Sequence, residues 1–245
     1  MKRIALLLGL LMVILACNIT SVGTDSSPIP ATTAPPAPGI TETPSTPTLQ
    51  YPDNLIAYYP LTADLNDVTG KNAPLTALNA PMAPGGGLVC NGVYPAYNPN
   101  GCDIETPQLG ALDLGAFTIS AQFLVPDAWV KPNPVFVGGS GWRWLIYELE
   151  PDGSIVLIYN NSNKVTCTVM YQLNTWHMAT ITYDGQTATL YLDKTPGCSA
   201  TSPLETSNEK QVLALNPSDG TGFYGTIRGL RIYNGVVNPS EIPFP

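Results

Sequence analysis

Basic residues and histidine are scarce in this chain. It has one histidine, His177, and ten lysines and arginines against 18 aspartates and glutamates, so its formal net charge is −8. So acidic a surface repels the phosphates of nucleic acids and anionic lipid head groups. We therefore expect no nucleic-acid partner. A single histidine and the lack of a Gly-x-Ser-x-Gly sequence also argue against Ser-His-Asp catalysis.

Apolar runs are short, and the most prominent one lies at the N-terminus. Lys2 and Arg3 precede an apolar run over 4–15. This run falls short of the roughly 20 residues that a membrane span needs and is typical of an export signal. The sequence ILAC at 14–17 resembles the lipobox of bacterial lipoproteins, whose cysteine receives lipid and becomes the new N-terminus. We predict a lipoprotein signal peptide over 1–16 and a palmitate-bearing lipid on Cys17, with an ordinary signal peptide as the alternative.

Aromatic residues and lysine are missing from 18–50, where serine, threonine and proline dominate. Such a segment buries too little apolar surface to offset its conformational entropy, and its prolines favour extended polyproline II. We predict that residues 17–50, from the lipidated cysteine onward, form a disordered tether. Signal removal takes the net charge from −8 to −10, because both lost charges are positive. The lipid would hold a domain over 51–245 on the extracytoplasmic side of a bacterial cell envelope.

Four cysteines remain in the predicted domain. An even number in an exported domain favours disulfides over metal ligation. Three pairings are possible, and the spacing favours Cys90–Cys102 and Cys167–Cys198. A zinc site is disfavoured, because no Cys-x-x-Cys spacing occurs and the single histidine lies far along the chain from most of the cysteines.

Short apolar or alternating runs recur through 51–245, separated by glycine, proline, asparagine and aspartate. They are rich in the β-branched and aromatic residues that strands prefer, and no long window has convincing helical periodicity. Two pairs of runs predict hairpins that turn at Pro151-Asp152-Gly153 and at Asp184-Gly185. The pattern predicts an all-β fold, a two-sheet antiparallel sandwich or jelly roll. The runs are LIAYYPL, FTISAQFLV, RWLIYEL, SIVLIYN, HMATITY, ATLYLD and TIRGLRIYN.

Four segments, in order along the chain, resemble the laminin G-like family of concanavalin A-like jelly rolls. NTWHMATITYDGQTATLYLD is similar to the family's Trp-His-apolar-Ala and Tyr-Asp-Gly hairpin, which places His177 on a strand and not in a catalytic site. The resemblance implies a concanavalin A-like sandwich, a fold that hosts lectins, adhesion modules and glycosidases alike. The other three segments are LIAYYPLTADLNDVTG, FTISAQF and GTIRGLRIYNGVVNPSEI.

Glycosidases of this superfamily suggest an enzyme hypothesis for the segment YELEPDG. Glu148, Glu150 and Asp152 alternate along the chain, and on one strand they would project from the same face. Retaining glycosidases need two carboxylates about 5 Å apart. Those enzymes carry an aspartate where this chain has Glu150, and Pro151 would break the strand before Asp152. We therefore predict a charged strand end entering a turn and no catalysis, with a glycoside hydrolase as the less favoured alternative.

A loop near the start of the predicted domain is a candidate calcium site. Asp64, Asn66 and Asp67 bring oxygen ligands together there, as calcium requires. Some relatives add acidic residues from a closing Asp-Glu-Val-Arg-Ile-Tyr-Asn strand. This chain has Arg228 and Gly229 in place of those acids, which removes ligand charge. Calcium is the one cofactor that the sequence suggests, and a polar loop whose aspartates stabilise turns is the alternative.

Aromatic residues supply the candidate ligand-binding surface. Tyr94 and Tyr97 lie in the loop that the first predicted disulfide closes, and Trp129, Trp142 and Trp144 are the other candidates. Flat rings stack against sugars or peptides at a low cost in entropy. Trp142 and Trp144 alternate, so on a strand they would share one face, which would be either a binding surface or the core.

These observations predict a surface-anchored lipoprotein with a non-catalytic binding module for carbohydrate or a cell-surface partner. Its other contact would be the membrane, through the lipid on Cys17. A purely structural domain that displays or spaces, without a ligand, is the alternative.

Overall fold

Alternating inward and outward side chains build two antiparallel β-sheets that pack face to face. This architecture confirms the all-β, two-sheet sandwich predicted from the sequence. No helix in the described part of the chain is long and apolar enough to cross a membrane. The structure is a computed structural model that describes residues 51–93, 101–107, 115–126, 133–138, 145–159, 163–201, 212–213, 215–216 and 221–244.

Within those ranges the chain forms 15 strands and one short 3-10 helix over Pro239–Glu241. The strands are β1 (Leu55–Tyr59), β2 (Thr76–Leu78), β3 (Leu88–Val93), β4 (Asp103–Glu105), β5 (Phe117–Leu124), β6 (Asn133–Gly138), β7 (Leu145–Leu149), β8 (Ser154–Tyr159), β9 (Asn163–Met170), β10 (His177–Tyr183), β11 (Thr187–Leu192), β12 (Thr195–Thr201), β13 (Val212–Leu213), β14 (Leu215–Asn216) and β15 (Thr221–Asn234).

The strands divide into a first sheet of eight and a second sheet of seven. The first sheet has the order β1-β15-β5-β10-β11-β12, with β3 and β14 also pairing with β15. The second has the order β2-β4-β13-β6-β7-β8-β9. The long strand β15 thus joins the edge strand β1 to the centre of the first sheet.

Strand β5 shows how each strand of the first sheet divides its side chains. Ile119, Ala121 and Phe123 point toward the second sheet and join the main hydrophobic cluster. Ser120 and Gln122 alternate with them and therefore point to the outer face. Both are nevertheless fully buried, because other parts of the chain cover that face.

The C-terminal segment forms part of this cover. The hydroxyl of Thr118 on β5 accepts a hydrogen bond from the Val237 N–H (2.9 Å) and donates one to the Gly235 carbonyl (3.0 Å). Both bonds hold the segment against the outer face. A second, smaller cluster of buried apolar side chains on this face consists of Leu55, Met178, Tyr233 and Ile242.

Both predicted hairpins are present, β7 with β8 and β10 with β11. The chain turns after β11 before it reaches Cys198. Asp193 and Lys194 adopt positive φ and turn the chain into a separate strand, β12, which contains Pro196. β12 lies at the edge of the first sheet, where a proline can face away from the ladder.

Both predicted disulfides are present, and each ties one sheet to the other. Cys90 on β3 joins Cys102, which directly precedes β4, and Cys167 on β9 joins Cys198 on β12. The Cα atoms of the second pair lie 4.6 Å apart. Gly197 permits this approach of β12 to β9, because a Cβ there would meet a side-chain atom of β9 at 2.6 Å.

Candidate functional site

A cleft of about 520 Å³ opens on the outer face of the first sheet, along the edge strand β1. Tyr58 of β1 and Arg231 of β15 are register partners, and both line the cleft beside Tyr233. The rest of its lining comes from the C-terminal segment 236–243 and from Tyr51, Pro52, Asn54 and Leu55. A concave site with aromatic rings and a few polar groups is the usual form of a ligand-binding pocket.

A β-bulge in β15 places two arginines on this outer face. Arg228 pairs with Gln122 and Arg231 pairs with Ser120, so β15 uses one more residue than β5 between the two pairs. Without that extra residue, side chains three positions apart would point to opposite faces. Gly229 has φ +64°, the left-handed conformation that such a bulge requires and that glycine adopts without strain.

Arg231 is buried, with 5% of its surface exposed. Its guanidinium carbon lies 4.1 Å from the centre of the Tyr58 ring. Nη2 donates to the Tyr58 hydroxyl (2.9 Å) and Nη1 to the Gly229 carbonyl (3.4 Å). Within the described residues no carboxylate pairs with this guanidinium. Since a guanidinium has five N–H donors, Arg231 retains donors for another acceptor.

Arg228 makes a similar arrangement next to the bulge. Its guanidinium carbon lies 3.9 Å from the centre of the Trp176 ring, and its Nε donates to Gln122 Oε1 (2.7 Å). The Nε2 of Gln122 is buried without a hydrogen-bond partner in the described part of the chain. The Gln122 Nε2 is thus a donor without an acceptor next to Arg228.

Two lysines donate hydrogen bonds to backbone carbonyls near the cleft. Lys71 Nζ donates to the carbonyl of Leu55 (2.7 Å) and Lys194 Nζ to the carbonyl of Ser240 (3.3 Å). Leu55 lines the cleft, and Ser240 precedes Glu241, the one acidic residue among the described residues that line it. Arg231 is the one cationic residue among the described residues that line the cleft, and the two lysines bond the backbone beside it.

The Tyr233 hydroxyl in the cleft is neutral near pH 7. Burial raises the pKa of Tyr233 above its usual value, and the nearby Arg231 only partly opposes that effect. The Tyr233 hydroxyl therefore stays protonated and able to donate.

The aromatic residues that the sequence suggested for binding lie outside the described residues. These are Tyr94, Tyr97, Trp129, Trp142 and Trp144, and Cys17 lies outside them as well. The sequence did not indicate the cleft residues, because their alternation of apolar and polar side chains is typical of any half-buried strand. Gly229 between two arginines was the signal that could have indicated a bulge.

The three carboxylates of YELEPDG do not share a strand. Glu148 lies on β7, is fully buried and has Lys164 Nζ at 3.5 Å from its Oε2. β7 ends at Leu149, and Asp152 lies in the following turn, where it accepts bonds from the Ser154 hydroxyl and N–H (2.6 and 2.9 Å). These bonds hold the pKa of Asp152 below its usual value. Its carboxylate therefore stabilises the hairpin turn.

The candidate calcium loop uses its carboxylates within the chain. Asp67 is buried, and its two oxygens accept five hydrogen bonds, one from Tyr58, two from Thr69 and two from Asn72. Asp64 accepts two from Asn66. Burial raises the pKa of Asp67, but the hydrogen bonds outweigh it and keep the pKa below its usual value. Calcium at this loop stays an untested hypothesis, and an ion there would have to displace some of these bonds.

His177 lies on β10, as the sequence predicted, and it is buried. Nδ1 lies 2.6 Å from Asp193 Oδ2, and Nε2 accepts from the Gln172 N–H (2.9 Å). Its ring packs 5.6 Å, centre to centre, from that of Phe123. Both ring nitrogens are thus used inside the fold. Among the described residues, no three His, Cys, Asp or Glu side chains converge as metal ligands.

Comparison with solved structures shows the same fold in carbohydrate-active proteins and a toxin. Domain 4 of AbnA, an extracellular arabinanase of Geobacillus stearothermophilus solved with arabinotriose, is 22% identical, with a TM-score of 0.60, over 77% of this chain and 96% of that one. A sialidase of Trypanosoma rangeli is 18% identical, with a TM-score of 0.60, over 77% of this chain. The match covers 32% of the sialidase, so this chain corresponds to about a third of that enzyme.

A structure of botulinum neurotoxin type C, whose cell entry depends on two ganglioside molecules, also matches. It is 11% identical, with a TM-score of 0.58, over 77% of this chain and 50% of that one. Identities this low establish a shared fold alone. No curated protein matches the sequence significantly.

The family comparison covers more than half of the chain. A laminin G-type family model, described as the concanavalin A-like lectin/glucanases superfamily, matches residues 99–243. The match includes the β10–β11 hairpin and all of β15, from which the resemblance was inferred. The chain therefore belongs to the concanavalin A-like lectin/glucanase superfamily.

Proposed function

We propose that this protein is a surface-anchored bacterial lipoprotein whose sandwich is a non-catalytic module that binds carbohydrate on a cell surface. The observation that carries the proposal is the cleft on the first sheet. It combines the rings of Tyr51 and Tyr58 with polar groups from Arg231 and Asn238. Sugars present apolar C–H faces and many hydroxyls, so rings together with hydrogen-bonding groups suit them.

The comparisons favour carbohydrate over a protein ligand. The matched arabinanase domain was solved with arabinotriose, and the matched neurotoxin interacts with gangliosides. Both ligands contain sugars, which supports a carbohydrate ligand for the sandwich of this chain.

A glycan array probed with the purified full chain tests the proposal. We expect selective binding to a small group of glycans, and we expect Tyr51→Ala to weaken it. Tyr51 is only half-buried and lies at the start of the described chain, so its removal should leave the sandwich folded. Binding to no glycan would favour the display alternative.

The absence of catalysis is part of the proposal and is supported by the position of Asp152 in a turn. Incubation with β-glucans should release no sugar, and hydrolysis that Glu148→Gln abolishes would overturn it. The anchor is tested separately, by mass spectrometry of the N-terminal peptide for lipid on Cys17 and by release of a Cys17→Ser variant from the envelope.

A further inference from the structure

We propose that the cleft binds an acidic sugar residue, a uronic or sialic acid, whose carboxylate pairs with Arg231. This inference rests on the proposed carbohydrate function and adds the chemical class of the ligand.

Arg231 is a buried cation that has no carboxylate partner among the described residues. A buried charge is unfavourable unless it is paired and hydrogen-bonded. Tyr58 satisfies one N–H group well, and the contact with Gly229 is long at 3.4 Å. No carboxylate of the described chain completes the set, whereas the residue borders an open cleft. A carboxylate entering the cleft would supply the missing partner.

The distribution of charge is the second argument. The described part of the chain has five cationic side chains, and four of them lie on the outer face of the first sheet or at its borders, namely Lys71, Lys194, Arg228 and Arg231. None of these four has a carboxylate partner in the described residues, whereas Lys164 on the second sheet pairs with Glu148. Within the described residues the unpaired cations therefore lie on one face of a chain whose net charge is −8, and they attract anions to that face.

The neighbours of Arg231 favour a sugar carboxylate over a small inorganic anion. Tyr51 and Tyr58 meet edge to face, with ring centres 6.1 Å apart, and offer ring surface to a sugar. The Oδ1 of Asn238 accepts the Ser240 N–H (3.0 Å), which leaves its Nδ2 donors for a sugar hydroxyl. A planar guanidinium also matches the two oxygens of a carboxylate.

The test compares sugars that differ only in charge. The full chain is titrated by calorimetry with 3′-sialyllactose against its methyl ester, and with trigalacturonic acid against its methyl ester. We expect at least one acidic sugar to bind about tenfold or more tightly than its neutral counterpart, as one lost charge-assisted bond predicts. Arg231→Lys should remove most of this difference, because lysine keeps the charge and loses the planar pair of donors.

Two exposed residues at the border keep the test valid if Arg231→Lys does not fold. Glu241→Gln should strengthen binding of the acidic sugar by about two- to fivefold, and Lys71→Gln should weaken it by a similar factor. Asp152→Asn removes one acidic charge on the second sheet and serves as the matched control, which should leave affinity unchanged.

The outcomes separate the two proposals. Equal binding of acidic and neutral sugars, a preference for sulfated glycans, or equal effects of Glu241→Gln and Asp152→Asn would overturn the acidic-sugar inference and leave carbohydrate binding in place. No binding to any glycan would overturn the proposed function itself.

Discussion

The imidazole of His177 and the carboxylate of Asp193 lie 2.6 Å apart, between Nδ1 and Oδ2. The other oxygen of Asp193 accepts the Met178 N–H (2.7 Å). One carboxylate thus joins the start of β10 to the turn that follows β11. This His–Asp pair resembles half of a catalytic triad, yet it holds a hairpin together.

Removal of the imidazole should destabilise the protein and leave ligand binding unchanged. His177→Ala deletes a buried ring and leaves the Gln172 N–H unpaired, so we expect a loss of about 2–4 kcal/mol in the free energy of unfolding. Urea denaturation measures it. Asp193→Asn is the milder control, because asparagine still accepts from Met178 and tolerates the positive φ of 48°. A His177→Ala protein of normal stability that fails to bind glycan would contradict this structural role.

Asp67 should contribute stability that depends on pH. Its pKa in the folded protein lies below the usual value of 3.8. Its contribution is therefore fully present above the unfolded pKa and is lost as the pH falls through the folded pKa. Asp67→Asn should lower the free energy of unfolding by about 2–4 kcal/mol at pH 7, and by less at pH 3. The exposed Asp64→Asn is the matched control, with a change within about 0.5 kcal/mol.

The melting temperature measured with and without calcium tests whether the same loop binds the ion. A bound ion stabilises the folded state by about 2.7 kcal/mol at 100 times its Kd. Because Asp67 already accepts five hydrogen bonds, we expect millimolar calcium to leave the melting temperature unchanged. A rise in melting temperature that Asp64→Asn abolishes would instead establish the calcium site predicted from Asp64, Asn66 and Asp67.

The disulfide between Cys167 and Cys198 should stabilise the pairing of the two sheets at one edge. It closes a loop with a sequence separation of 31 residues. A double substitution to alanine should lower the free energy of unfolding by about 2–4 kcal/mol, measured by thermal denaturation against the intact protein. Equal melting temperatures with and without a reducing agent would contradict it.

Gly229 should affect both stability and binding. Gly229→Ala places an L-residue at φ +64° and should destabilise the protein by roughly 1–2 kcal/mol. Relaxation of the bulge would also turn Arg231 away from the cleft and weaken binding. Gly70→Ala, at φ +69° with open space around it, should have a similar effect on stability and none on affinity. Equal affinities of the two variants would contradict the role of the bulge.

The fold could be predicted because its signals are local. Alternation along FTISAQFLV and HMATITY predicts strands, and Asp184-Gly185 predicts a turn. Neither prediction depends on residues elsewhere in the chain. The spacing of Cys90 and Cys102 likewise indicated their pairing. β12 was less predictable, because Pro196 and Gly197 are typical of turns and only a position at the sheet edge makes them acceptable in a strand.

The candidate site could not be predicted, because it depends on register. Arg228 and Arg231 are three residues apart, a spacing that predicts opposite faces of a strand, and the bulge at Gly229 brings them to the same face. The contact between Thr118 on β5 and the C-terminal segment also joins residues far apart in the chain, which no local pattern indicates.

The sequence by itself determined the strand pattern, the hairpins and the family, since these follow from side-chain alternation, turn residues and short motifs. Only the tertiary structure decided that the disulfides join the two sheets, that His177 is used inside the fold, and that Arg231 borders a cleft. The physical reason is that each of these depends on contacts between residues distant in the chain, such as Arg231 with Tyr58.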